Sequence, residues 1–127
     1  MANKILVVDD EEAVRDTLKD LLNKEGYNVL AVGSGEESVA AVEKEDFTAV
    51  LMDVRLNGIS GLEALKKIKE LKPKTVVVMI TGFSYDDELV TKSNELGCAG
   101  YIGKNASISQ IISCFKSFIK EAKEKNK

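Results

Sequence analysis

The chain has 127 residues, of which 44% are hydrophobic and 31% charged, and its formal net charge is −3. This length suits one soluble domain whose core needs no disulfide or structural metal. The acidic balance argues against nucleic-acid binding, and no apolar stretch approaches the roughly 20 residues that span a bilayer. The chain has no histidine, which excludes His-based triads and common zinc sites. No signal peptide precedes the first strand pattern, so we expect a cytoplasmic protein whose Cys98 and Cys114 are reduced and mostly buried.

Five short apolar runs predict β-strands. They are residues 5–8, 28–32, 48–52, 75–80 and 100–103. The central runs are apolar without alternation, which is typical of strands that are buried on both faces.

Amphipathic segments follow each run and predict five helices. The first helix ends before Gly26, and the second begins with the pair Ser34 and Glu37. The third begins with Ser60 and Glu63 and ends at Pro73. The fourth covers residues 86–96 before Gly97, and the fifth shows helical spacing over residues 108–119. Strand–helix pairs with short loops imply a doubly wound, five-stranded parallel sheet, an α/β fold in a single domain. We assign residues 1–121 to this domain and residues 122–127 to a charged tail or the start of a linker.

Three carboxylates stand at the ends of two predicted strands. Asp9 and Asp10 follow the first run, and Asp53 follows the third. Carboxyl ends of neighbouring parallel strands meet at one edge of a sheet, where open α/β sheets bind ligands. Three like charges repel unless a cation lies among them, and oxygen ligands favour Mg²⁺. Taken alone, the first acids could instead cap a helix, and Asp53 could be a turn residue.

Five short segments, each at the end of a predicted strand or the start of a predicted helix, occur in order along the chain. They are Ile5-Leu6-Val7-Val8-Asp9-Asp10-Glu11-Glu12, Val50-Leu51-Met52-Asp53, Ser60-Gly61-Leu62, Met79-Ile80-Thr81-Gly82 and Gly100-Tyr101-Ile102-Gly103-Lys104. On these segments the chain, from Lys4 to about Lys120, resembles the receiver domain of a two-component response regulator of the chemotaxis-regulator type. The resemblance implies a flavodoxin-like (βα)5 fold with strand order 2-1-3-4-5. It also implies a phosphoacceptor switch that catalyses its own phosphorylation and dephosphorylation, rather than an enzyme.

By this resemblance, Asp53 accepts a phosphoryl group from a sensor histidine kinase or a phosphotransfer protein. The implied Mg²⁺ ligands are Asp9, Asp10, Asp53 and the backbone carbonyl of Arg55. Thr81 would donate its hydroxyl to the phosphoryl group, and Lys104 would supply a positive charge. A carboxylate nucleophile must be ionised and exposed, and the charge on a transferring phosphoryl group needs a metal and fixed donors around it.

The resemblance also implies that Tyr101 swings inward when Thr81 moves toward the phosphoryl group. The movement would reshape the face formed by the fourth helix, fifth strand and fifth helix, where a downstream target, an effector domain or a second copy binds. The alternative for Tyr101 is a half-buried strand residue with a wet hydroxyl. Arg55 and Phe83 would shield the acyl phosphate, or else both point to solvent. On the last helix, Phe115 is expected in the core, and Phe118 between core and rim.

Two positions depart from the family pattern. Asn57 stands where proline is usual, and Asn57-Gly58 predicts a tight turn. Asn105 stands where a cis proline is typical. A cis bond before Asn would cost about 3–4 kcal/mol, so a trans or a strained loop is expected and the reach of Lys104 stays open.

Two other functions remain open from the sequence. A small phosphatase of the haloacid-dehalogenase type also uses an aspartate after its first strand, but it requires Asp-x-Asp at this point. A receiver-like interaction module would never take phosphate, although the full set of site residues argues against it.

Overall fold

The computed structural model describes residues 3–81, 87–103 and 106–125. In these residues, strands and helices alternate along the chain. They are β1 (Lys4–Val8), α1 (Glu12–Lys24), β2 (Asn28–Val32), α2 (Gly35–Lys44), β3 (Ala49–Asp53), α3 (Gly61–Leu71), β4 (Val76–Thr81), α4 (Asp87–Glu95), β5 (Gly100–Gly103) and α5 (Ile108–Lys125). The third and fourth strands lie one residue later than predicted, so Asp53 and Thr81 are their last residues.

The strands form one sheet in the order β2-β1-β3-β4-β5, and every neighbouring pair is parallel. This confirms the predicted flavodoxin-like topology. The central strand β3 is buried along its whole length, whereas the edge strand β2 has two exposed residues. The difference follows from the helices, which cover both faces of the central strands.

Alternate residues of the strands build two core layers, one on each face of the sheet. On one face, Ile5 and Val7 of β1 lie in a cluster with residues of α1 and α5. On the other, Leu6 and Val8 lie with residues of α2 and α3. Phe115 is fully buried, as predicted. Burial of these apolar side chains, worth about 1.5–3 kcal/mol for each large one, is what holds the helices on the sheet.

Helix ends follow the predicted signals. The Ser34 hydroxyl accepts a hydrogen bond from the Glu37 N–H at 3.1 Å, and the Ser60 hydroxyl accepts one from the Glu63 N–H at 3.2 Å. Gly26 has a φ of +97° just after α1, a backbone conformation that glycine adopts without strain. These local bonds satisfy amide groups that the first turns of α2 and α3 would otherwise leave unpaired.

The cysteines follow the sequence expectation only in part. Cys98 and Cys114 are both free thiols, and Cys98 is partly buried. Cys114 is exposed, so the expectation that both are buried was wrong for it. Cys114 lies on α5 directly before the buried Phe115, on the side of the helix that faces solvent. Over the ranges that the structure describes, no helix combines the length and the apolar character needed to cross a bilayer.

Candidate functional site

The register of the sheet brings the three predicted carboxylates together. Val8 pairs with Met52 across β1 and β3, so the next residues, Asp9 and Asp53, stand level at the carboxyl edge of the sheet. Carboxylate oxygens of Asp9, Asp10 and Asp53 all lie within 4.8 Å of one another. Neighbouring parallel strands end at the same edge, and this confirms the predicted convergence.

Two of these carboxylates are oriented by the loops that follow them. Asp9 Oδ1 accepts a hydrogen bond from the Glu11 N–H at 2.9 Å, and Asp53 Oδ1 accepts one from the Arg55 N–H at 3.0 Å. Each aspartate thus bonds the amide two residues ahead, as in an Asx turn. Glu11 occupies the N-cap position of α1 but makes no capping bond through its side chain. The Glu11 side chain therefore does not cap α1, and Asp9, at the sheet edge, bonds the amide of this N-cap residue.

The site is more enclosed than the sequence suggested. Asp9 is 1% exposed and Asp53 is 4% exposed, whereas Asp10 is intermediate. The expectation that Asp53, as a nucleophile, is exposed was wrong, because β3 is buried along its whole length and Asp53 is its last residue. Three acids in such surroundings repel one another more strongly than they would in water. Oxygen donors in this arrangement fit a hard divalent cation such as Mg²⁺.

The start of α3 lies directly on the backbone of the central aspartate. The Gly61 N–H donates to the Val54 carbonyl at 2.9 Å, and a Cβ built on Gly61 would stand 2.3 Å from the Asp53 carbonyl oxygen. Only glycine leaves room for this approach. Gly61 belongs to one of the five matching segments, but its physical role could not be predicted from the sequence, because the contact joins a helix to a strand end.

Arg15 is a second residue of the site that the sequence did not indicate. Its Nη1 donates to the Asp9 carbonyl oxygen at 2.9 Å, and the same nitrogen lies against Gly33, at 2.8 Å from where a Cβ would be. Arg15 is only partly exposed although it is a long cation on the first turns of a surface helix. It fixes the loop after β1 from the side of α1.

Thr81 lies at the same edge of the sheet as the acids. Asp53 pairs with Ile80 of β4, so Thr81 stands one residue beyond that level, and it is 4% exposed. Buried threonine hydroxyls at a strand end can donate to an anion held there. The structure thus brings Thr81 to the edge where the carboxylates meet.

Tyr101 lies on the neighbouring strand β5, opposite Met79. The residue is partly buried and, like Leu89 and Leu96, packs against the second core layer. Its hydroxyl oxygen is shielded from solvent, which does not fit the alternative of a wet hydroxyl. The switch role itself stays a prediction.

Some of the remaining predicted residues lie within the described part of the chain and others do not. Arg55, which is described, is exposed. Gly58, also described, has a φ of +79°, as the predicted tight turn requires. Phe83, Lys104 and Asn105 lie outside the described residues. Shielding by Phe83, the reach of Lys104 and the form of the bond after it therefore stay predictions.

Comparisons with known proteins agree with this geometry. A family model described as the response regulator receiver domain matches residues 5–116. Sporulation initiation phosphotransferase F of Bacillus subtilis (strain 168) is 32% identical over 119 residues, which cover 94% of this chain and 95% of that protein. The hydrogenase transcriptional regulatory protein HoxA of Cupriavidus necator is 35% identical over 100 residues, and the match spans 79% of this chain but only 20% of HoxA.

Solved structures give the same result. The crystal structure of a response regulator receiver domain protein (CheY-like) from Methanospirillum hungatei JF-1 superposes with a TM-score of 0.91 at 30% identity, covering 98% of this chain and 99% of that one. The receiver domain family is thus supported by the sequence along most of the chain and by the complete fold. The chain belongs to the response regulator receiver domain family.

Proposed function

We propose that this protein is a phosphoacceptor switch of a two-component system, with Asp53 as the residue that takes the phosphoryl group. The single observation that carries the proposal is the group of three carboxylates at the carboxyl edge of the sheet. Asp53 is the member at the end of the central strand β3, so strands and helices on both sides hold its backbone in place. The donor is the phosphohistidine of a sensor kinase or of a phosphotransfer protein.

Mg²⁺ is the cofactor that these donors favour. Asp9, Asp10, Asp53 and the backbone carbonyl of Arg55 would hold it. Water and a phosphoryl oxygen would complete the six oxygen ligands that Mg²⁺ prefers. The bound ion would offset the repulsion among the acids and the negative charge of the incoming phosphoryl group.

The chemical step is a transfer between two nucleophiles. An Asp53 carboxylate oxygen forms the new bond to phosphorus while the bond from phosphorus to the donor's histidine nitrogen breaks, and the imidazole leaves with that electron pair. The Thr81 hydroxyl and the Lys104 ammonium would stabilise charge on the phosphoryl oxygens during the transfer. Because this chain has no histidine, the phosphohistidine must belong to the partner.

The output would pass through β5 to the face formed by α4, β5 and α5. Phosphorylation would draw Thr81 toward the phosphoryl group and favour the inward position of Tyr101, whose hydroxyl is already shielded from solvent. Such regulation is a shift between states that exist before phosphorylation. A downstream protein, an effector domain or a second copy of the chain would then bind this face, in the cytoplasm.

The experiment is incubation of the protein with acetyl phosphate and Mg²⁺, read by intact mass. We expect an adduct of about 80 Da, the mass of one added phosphoryl group, which EDTA prevents and which Asp53→Asn lacks. An adduct that persists in Asp53→Asn would refute the assignment of the acceptor. If no phosphodonor gives an adduct on the wild type, the result would favour the alternative function, a receiver-like interaction module that never takes phosphate.

A further inference from the structure

The loop between β3 and α3, residues 54–60, carries the Arg55 carbonyl that the proposed function assigns to Mg²⁺; we call it the β3–α3 loop. Its base is closed where the Gly61 N–H donates to the Val54 carbonyl at 2.9 Å. Its tip comprises Gly58 and Ile59, and Asn57 directly before them stands where the family pattern has proline. Ile59 already lies against the start of α2, since a Cβ built on Gly35 would stand 2.6 Å from Ile59 Cγ1.

A carboxylate from α2 lies on that tip. Glu36 Oε1 accepts a hydrogen bond from the Ile59 N–H at 3.3 Å. A Cβ built on Gly58 would stand 2.3 Å from Glu36 Oε2, so the carboxylate lies directly against the Gly58 backbone. Gly58 has a φ of +79°, a backbone conformation that favours glycine, and the Glu36 carboxylate lies in the space that a side chain at this position would take.

The helix turn that bears Glu36 is itself anchored to the other half of the metal site. The next residue, Glu37, accepts a hydrogen bond from the Gly33 N–H at 2.9 Å. Gly33 in turn lies against the Arg15 guanidinium, which donates to the Asp9 carbonyl at 2.9 Å. The first turn of α2 thus contacts the β3–α3 loop on one side and connects to the backbone of a metal-binding aspartate on the other.

We infer that Glu36 is a positioning residue for the Mg²⁺ site, acting through the β3–α3 loop on the Arg55 carbonyl. The inference rests on the proposed function, since it assumes that this loop contributes a ligand. Mg²⁺ tolerates little departure from octahedral geometry, so a loop tip that moves freely presents the carbonyl in the correct place for a smaller fraction of the time. Glu36 raises that fraction through one hydrogen bond and one close contact, and it does not touch the metal.

The test measures the Mg²⁺ dissociation constant by calorimetry, with MgCl₂ as the probe and no phosphodonor present. We expect Glu36→Ala to raise the dissociation constant roughly threefold, the lower range for loss of one exposed hydrogen bond. Glu36→Gln keeps an oxygen that can accept from Ile59 and should stay near the wild-type value. Glu43→Ala is the matched control, because Glu43 is an exposed glutamate at the other end of the same helix.

A comparison of variants and two further measurements separate a positioning role of Glu36 from two other effects, the loss of one negative charge and a loss of overall fold stability. Loss of one negative charge is the same in Glu36→Ala and Glu36→Gln, so equal weakening in both would overturn the inference in favour of a charge effect. Hydrogen exchange of the Ile59 amide should speed up in Glu36→Ala, whereas amides of β3 should exchange as in the wild type. In Glu36→Ala, the Mg²⁺ concentration that gives half the maximal rate of phosphorylation by acetyl phosphate should rise. The maximal rate at saturating Mg²⁺ should equal that of the wild type.

The outcomes also separate this inference from the proposed function. A wild type that binds Mg²⁺, with Glu36→Ala binding it equally well, would overturn the role of Glu36 and leave the switch intact. A wild type that neither binds Mg²⁺ nor takes a phosphoryl group would overturn the proposed function, and the role of Glu36 with it. If the Mg²⁺ dissociation constant rises in Glu36→Ala and stays near the wild-type value in Glu36→Gln, both the role of Glu36 and the proposed function are supported.

Discussion

Replacement of Gly61 by alanine tests how the fold positions the central aspartate. The added methyl group would stand 2.3 Å from the Asp53 carbonyl oxygen and 2.8 Å from the Val54 Cα. Both neighbours are backbone atoms, so the conflict cannot be relieved by turning a side chain. Either α3 moves away from the sheet, or the end of β3 moves and carries the Asp53 carboxylate with it.

The cost can be estimated from these contacts. Overpacking a tight site costs about 1–3 kcal/mol, and the better helix propensity of alanine returns at most about 1 kcal/mol at this first helical position. A net loss of about 2 kcal/mol in the free energy of unfolding corresponds to a fall in melting temperature of about 7 °C for a chain of this size. Because misplacement by about 1 Å can cost a hundredfold in rate, we expect phosphorylation by acetyl phosphate to slow roughly tenfold or more.

The measurements are urea unfolding and the rate of adduct formation by intact mass, both below the melting transition. Gly26→Ala is the matched control, since Gly26 has a φ of +97° and open space around its Cβ position. That variant should lose about 1–2 kcal/mol from backbone strain alone and should phosphorylate at the wild-type rate. If Gly61→Ala were as stable as the wild type, or slowed no more than Gly26→Ala, the close approach of α3 to Asp53 would not hold the site.

Three further results are expected. A Cβ on Gly100 would stand 2.4 Å from the Phe118 ring, so Gly100→Ala should lower the free energy of unfolding by about 1–3 kcal/mol. In a Phe118→Ala background, the same change should cost much less. Additive losses in this double-mutant cycle would contradict the contact. Burial raises the pKa of the Cys98 thiol, which lowers its thiolate fraction at pH 8. Iodoacetamide should therefore modify Cys98, measured in Cys114→Ser, more slowly than the exposed Cys114, measured in Cys98→Ser. Equal rates in the two variants would contradict this expectation. Phe83→Ala should shorten the lifetime of the phosphorylated state if this ring shields the acyl phosphate, and an unchanged rate of dephosphorylation would remove that proposal.

The parts of the fold that rest on short-range patterns could be predicted from the sequence. Unbroken apolar runs indicated the buried central strands, and the spacing of Ser34 and Glu37 indicated the start of α2. The convergence of Asp9 and Asp53 followed from the rule that parallel strands end at one edge. Each of these inferences needs only neighbours in the chain or the order of the strands.

The features that were missed depend on contacts between distant segments. No pattern places the Arg15 guanidinium on the Asp9 carbonyl, or the first residue of α3 on the backbone of Asp53. The low exposure of Asp53 also escaped prediction, because the loops that cover a strand end have no periodicity from which burial can be estimated. Residues such as Glu36 look like ordinary solvated acids until the loop they contact is known.

The proposed function gives the three carboxylates separate roles, with Asp53 as the acceptor and Asp9 and Asp10 as metal ligands. The most direct test is to phosphorylate the wild type with acetyl phosphate and Mg²⁺, reduce the acyl phosphate with borohydride, and sequence the peptides by tandem mass spectrometry. Reduction converts the phosphorylated aspartate to homoserine, and we expect homoserine at position 53 alone. Homoserine at position 9 or 10, or aspartate retained at all three positions in a protein that carries the adduct, would contradict it.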